Sequence, residues 1–125
     1  MSAMRRAIVW TAVAIVATVA VVVYYRYDPS TTSVFPRCLF YATTGYQCPG
    51  CGSQRAIHAL LHGEVLDALR YNALLVLSLP LVAVLLVAQW LRALKPGFYR
   101  ALNATWVAVA YLVVTIVWTI ARNVL

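Results

Sequence analysis

Cys48-Pro49-Gly50-Cys51-Gly52-Ser53 is the stretch of this sequence best equipped for chemistry. Pro49 and Gly50 favour a turn, which holds two thiols three positions apart. Gly52-Ser53 then reads as a helix start, with Ser53 as N-cap and Gln54 opening the first turn. Thiols just outside a helix N-terminus feel its positive end, which favours thiolate over thiol. Cys38 lies upstream with Gly45 on the approach, and His58 and His62 follow on one face of the coming helix.

Four chemistries fit these residues. A structural disulfide would pair Cys38 with Cys48 or Cys51, because the longer closed loop removes more unfolded-state entropy; the chain-entropy estimate is about 3 kcal/mol. A redox centre would use Cys48 as nucleophile, Cys51 as resolving thiol and Cys38 as an internal relay, although a C-x-x-C without a thioredoxin-like strand pattern is a weak signal. A zinc site would group Cys48 and Cys51 with His58 and His62, two thiolates and two imidazoles around a tetrahedral ion. Against it, Arg55 projects from the same helix face. An anion site would join the helix N-terminus to Arg55, His58 and His62. The bland alternatives are a solvated stripe for Arg55 and His58, and a bond to the last-turn carbonyls for His62.

The rest of the chain reads as the anchor for this loop. Of its 125 residues 64% are hydrophobic and only 10% charged, too few charges for a soluble surface. The net charge of +7 is dispersed between apolar segments, so it marks membrane flanks and not a nucleic-acid face. Three spans are expected, over about 7–25, 73–91 and 102–120, each near the roughly 28 Å that ~19 helical residues cover. An uncleaved first span is preferred to a signal peptide, since no small-x-small site closes it. Asn72 caps the second span, and Pro80 is expected to bend it. Residues 26–72 form the loop, with two short amphipathic helices. The first, Ser53 to His62, is stopped by Gly63; it carries Leu60 and Leu61 on its apolar side and Ala59 on its polar side. The second covers Glu64 to Tyr71.

Aromatic residues fit two belts, Trp10, Trp90, Tyr99 and Trp106 at one face and Tyr24, Tyr25, Tyr27, Tyr71 and Trp118 at the other. Arg5, Arg6, Arg92, Lys95 and Arg100 are packed into two short segments without acids. That favours a cytoplasmic N-terminus and an extracytoplasmic thiol loop. No Ser-His-Asp set, paired intramembrane carboxylates or phosphate-cradling loop is present.

The pattern Pro36-x-Cys38, Gly45-x-x-Cys48-Pro49-x-Cys51-Gly52-x-x-Arg55-Ala56, Leu61-x-Gly63, Ala68-x-x-x-Asn72 resembles the small bacterial membrane proteins grouped as domain of unknown function 2752. Gln54 and Ala73 replace the Thr and Pro common there. The resemblance implies an architecture and a bacterial cytoplasmic membrane, and no activity.

The sequence therefore leads us to expect a single all-α, multi-pass membrane domain with a thiol loop. Its expected role is a non-enzymatic accessory subunit in contact with the lipid bilayer and with other membrane subunits or its own copies. No resident cofactor is expected, zinc being the possible exception.

Overall fold

The computed structural model describes residues 2–125. Every regular element among them is helical. Helix α1 covers Ala3–Arg26, with Ser2 accepting the Arg5 N–H at its start. Val- and Ile-rich sequence stays helical here because lipid offers the backbone no other partner. Thr11 and Thr18 satisfy their hydroxyls by bonding back to the carbonyls of Ala7 and Ala14, both at 2.8 Å. The chain leaves α1 through a turn in which Asp28 Oδ1 accepts the Ser30 N–H and hydroxyl, at 2.8 and 2.6 Å. Those bonds hold the Asp28 carboxyl below its ordinary pKa.

Short α2, Leu39–Thr44, ends at Gly45. Helix α3 is Ser53–Leu61, and α4 runs Val65–Trp90. A 3-10 turn, Leu91–Ala93, and α5, Pro96–Leu102, lead to α6, Thr105–Val124. Three helical stretches are long and apolar enough to cross a membrane: Ala3–Arg26, Val65–Ala93 and Pro96–Val124.

One expected boundary holds and one moves. The short helix expected over Glu64 to Tyr71 and the span expected from about residue 73 lie on either side of a kink at Asn72, both within the range of α4. Its only internal departure from helical dihedrals is at Asn72, with φ −158° and ψ 89°; Pro80 sits inside the helix without such a break. The basic connection after the second span contains α5, which moves the start of α6 to Thr105.

The core is small and made of alanine. Ala56 and Ala59 of α3 are buried with Ala68 of α4, flanked by Leu60, Leu75 and Val76. Three methyl-sized side chains let the two backbones approach closely, as small residues do between membrane helices. Ala59, placed on the polar side by the helical wheel, is only 2% exposed. The wheel assumed that α3 buries its largest side chains; close approach to α4 instead selects its smallest.

Farther along, α4 and α6 meet through Ser78 and Tyr111. Ser78 donates to the Leu74 carbonyl at 2.5 Å, so the Tyr111 hydroxyl donates to Ser78 Oγ at 2.9 Å. Most large apolar side chains of α1, α4 and α6 face outward, the arrangement expected of lipid-facing spans.

Candidate functional site

The Cys48–Gly52 turn is closed by its own backbone. Cys51 N–H donates to the Cys48 carbonyl and Ser53 N–H to the Gly50 carbonyl, both at 3.1 Å. Gly52 takes the cap position of α3 and Ser53 is its first helical residue, one step from the expected assignment. Gly52 has a φ of +84°, and a Cβ there would lie 2.4 Å from the Tyr71 carbonyl oxygen. Glycine is thus required by both conformation and space.

Three side chains from distant parts of the chain hold this turn. Asn72, 1% exposed, points its Nδ2 at the carbonyls of Pro49 (2.9 Å) and Cys51 (3.3 Å) and at Ser53 Oγ (3.1 Å). Its Oδ1 accepts the Leu75 N–H at 3.0 Å and so caps the long part of α4. Arg122, near the end of α6, donates to the Cys51 carbonyl at 2.6 Å and to the Tyr71 carbonyl at 2.9 Å. Tyr71 lies at the break in α4, where the helix ladder is interrupted. Asn123 pairs with the backbone of Gln47, accepting its N–H at 2.8 Å and donating to its carbonyl at 2.9 Å. The carbonyls of Gln47, Pro49 and Cys51 are therefore all satisfied by side chains from α4 or α6.

Within this frame the three cysteines converge. Cys48 Sγ lies 3.3 Å from Cys38 Sγ and 3.2 Å from Cys51 Sγ, and all three sulfurs fall within 4.8 Å of one another. Cys48 N–H donates to Cys51 Sγ at 3.2 Å. These are contact distances between free thiols, well beyond the ~2.05 Å of a bond, so the expected staple is not formed in this structure. The loop is closed by side-chain to backbone bonds. The sulfurs are also inequivalent. Hydrogen bonding from the Tyr41 backbone, then from Cys48, holds the Cys38 thiol below its ordinary value. Burial, followed by the hydrogen bond with Cys48, pushes Cys51 up to about 12. A group of three sulfurs this close could hold a metal ion.

The histidines turn elsewhere. His58 Nδ1 lies 2.6 Å from the Tyr24 carbonyl near the end of α1. A carbonyl accepts only, so His58 carries its proton on Nδ1 and serves as a side-chain cap for α1. His62 Nδ1 bonds the His58 carbonyl at 2.9 Å, and its ring stacks on Tyr25 at 4.4 Å. His58 and His62 thus join α3 to α1, while Cys38 takes its place beside Cys48 and Cys51. Arg55 is exposed, and Gln54 reaches the Pro36 carbonyl at 3.4 Å. Pro49 and Gly50 make the turn, Gly45 follows α2, and Gly63 follows the end of α3 at His62.

Arg122 and Asn123 carried no signal in the sequence beyond a basic flank on the last span. Their partners are 51 to 76 positions away, a separation no local pattern reports.

Fold and site together define an all-helical chain with three membrane-length helices and a thiol loop clamped where their ends meet. Residues 38–86 match the family model described as Protein of unknown function (DUF2752). The matched stretch covers the thiol loop, α3 and most of α4. No curated protein and no solved structure matches the chain.

Proposed function

We propose that this chain is a non-enzymatic component of a larger membrane assembly, presenting its clamped thiol loop to another membrane protein. The observation that carries this reading is the apolar surface of the loop itself. Val34, Leu39, Phe40, Tyr41 and Tyr46 lie outside the three spans, yet each is exposed, Leu39 at 76%. An apolar patch of this kind beside an otherwise fixed loop suits a protein contact. The assembly sits in a bacterial cytoplasmic membrane, with the loop on the extracytoplasmic side. A photoreactive phenylalanine analogue in place of Phe40, activated in native membranes, should yield one discrete protein adduct. Adducts to lipid alone would reject the reading.

A thiol-exchange role is the second reading, favoured by one observation. Cys48 touches both other thiols, so after attacking a partner's disulfide, which is thereby reduced to two thiols, it can hold the resulting bond with either Cys38 or Cys51. Acid-quenched peptide mapping should then find Cys48 in two interchanging pairs; a single unexchanging pair would leave only a staple.

A further inference from the structure

We infer that Cys38, Cys48 and Cys51 together form a binding site for one thiophilic d10 cation, with a fourth coordination position left open. This rests on the reading that the thiol loop is the working part of the chain. The ligand set differs from the two-Cys, two-His arrangement that spacing suggested.

Geometry comes first. Tetrahedral zinc with bonds of ~2.3 Å places its sulfurs ~3.8 Å apart. The sulfurs here stand at 3.3 and 3.2 Å, with all three inside 4.8 Å. Spreading the two short contacts by roughly half an ångström is enough to admit the ion. Asn72, Arg122 and Asn123 fix the backbone that carries Cys48 and Cys51, so two of the three ligands are preorganised.

Charge is the second consideration. Three thiolates around a divalent ion leave one net negative charge. Arg122, 2.6 Å from the Cys51 carbonyl, stands beside the site with one positive charge. No carboxylate belongs to the cluster, so softness of the ligands and not anionic charge alone selects the ion. Binding releases the protons of whichever thiols still hold them, which makes affinity rise with pH.

The fourth position follows from the histidines. The Nδ1 atoms of His58 and His62 are engaged with the carbonyls of Tyr24 and His58, and neither ring belongs to the sulfur cluster. Three protein ligands leave one position for water or for a donor from a partner.

The test uses the full chain, purified in mild detergent under reducing conditions and stripped with chelator. It is titrated with Zn2+ alone and, separately, with Cu+ alone. The expected result is one ion per chain, with all three thiols protected from iodoacetamide. Cys38→Ser should weaken binding by ~100-fold or more, while His58→Ala and His62→Ala stay within about threefold. Helix content by circular dichroism checks that each variant is folded. The wild-type stoichiometry and protection stand as readouts if Cys38→Ser is not. Stoichiometric Cu+ without Zn2+ supports the site and assigns the monovalent ion. Failure of the wild type to bind either ion overturns the inference, and so does loss of binding in a histidine variant with Cys38→Ser unaffected. A chain that binds no ion but still gives the protein adduct through position 40 loses this inference and keeps the partner reading.

Discussion

Asn72 joins the thiol turn to the second span, and its amide is used at both ends. Nδ2 faces three acceptors and Oδ1 faces one backbone donor. We predict that Asn72→Ala lowers stability by about 2–3 kcal/mol, combining a lost cap with buried acceptors left unpaired. Asn72→Asp is the sharper variant. It keeps the cap but turns a second acceptor toward the Pro49 and Cys51 carbonyls, so it should be at least as damaging. Thermal unfolding in detergent reads both, and an Asp variant as stable as wild type would show that the cap alone matters. The thiols give a second prediction at this scale. Lowered Cys38 holds more thiolate near neutral pH, whereas Cys51, at about 12, holds almost none. Alkylation of the metal-free reduced chain should therefore reach Cys38 well before Cys51, and the Cys51 rate should keep rising through pH 10. Equal rates at pH 8 would contradict the assigned environments.

Helix α3 illustrates how an element can be found while its buried face is misjudged. Its length and its glycine stop are legible from Ser53 to Gly63, and His58 and His62 do share a face. That face docks on the end of α1, and the next strip, Ala56 and Ala59, docks on α4. We predict that Ala59→Asp destabilises the fold by several kcal/mol, since an unpaired charge would enter the Ala56–Ala68 contact. Arg55→Ala, at an exposed position of the same helix, should change stability by less than about 0.5 kcal/mol. Comparable losses at the two positions would place α3 differently.

At the scale of the whole molecule, the loop is where separate ends of the chain meet. The C-terminal end of α1 reaches it through Tyr24, α4 through Tyr71 and Asn72, and α6 through Arg122 and Asn123. The N-terminal basic head and the Arg92–Arg100 connection lie at the opposite ends of the three membrane-length helices, so three crossings would put them on the other face. With the positive-inside preference, we predict that topology reporters fused after Arg26, at Lys95 and after Leu125 score outside, inside and outside. A cytoplasmic score at the first fusion would invert the assignment and put the thiols in a reducing compartment.

Local sequence was enough for whatever depends on one helix at a time. Apolar run length sets the three spans, because a helix must satisfy its own backbone in lipid. Cys48-Pro49-Gly50-Cys51 sets a turn, and Asn72 shows itself as a helix cap, since both rest on bonds a few residues apart. Folding supplied what crosses between elements. Cys38 joins the other thiols, and Arg122 clamps the Cys51 carbonyl, through contacts spanning 10 and 71 positions. Ala59 is buried because α3 meets α4 on its smallest side chains, and His58 turns to α1 because a helix end there offers a carbonyl. Such pairings depend on how helices approach one another in space, and spacing along one helix holds no record of its neighbour.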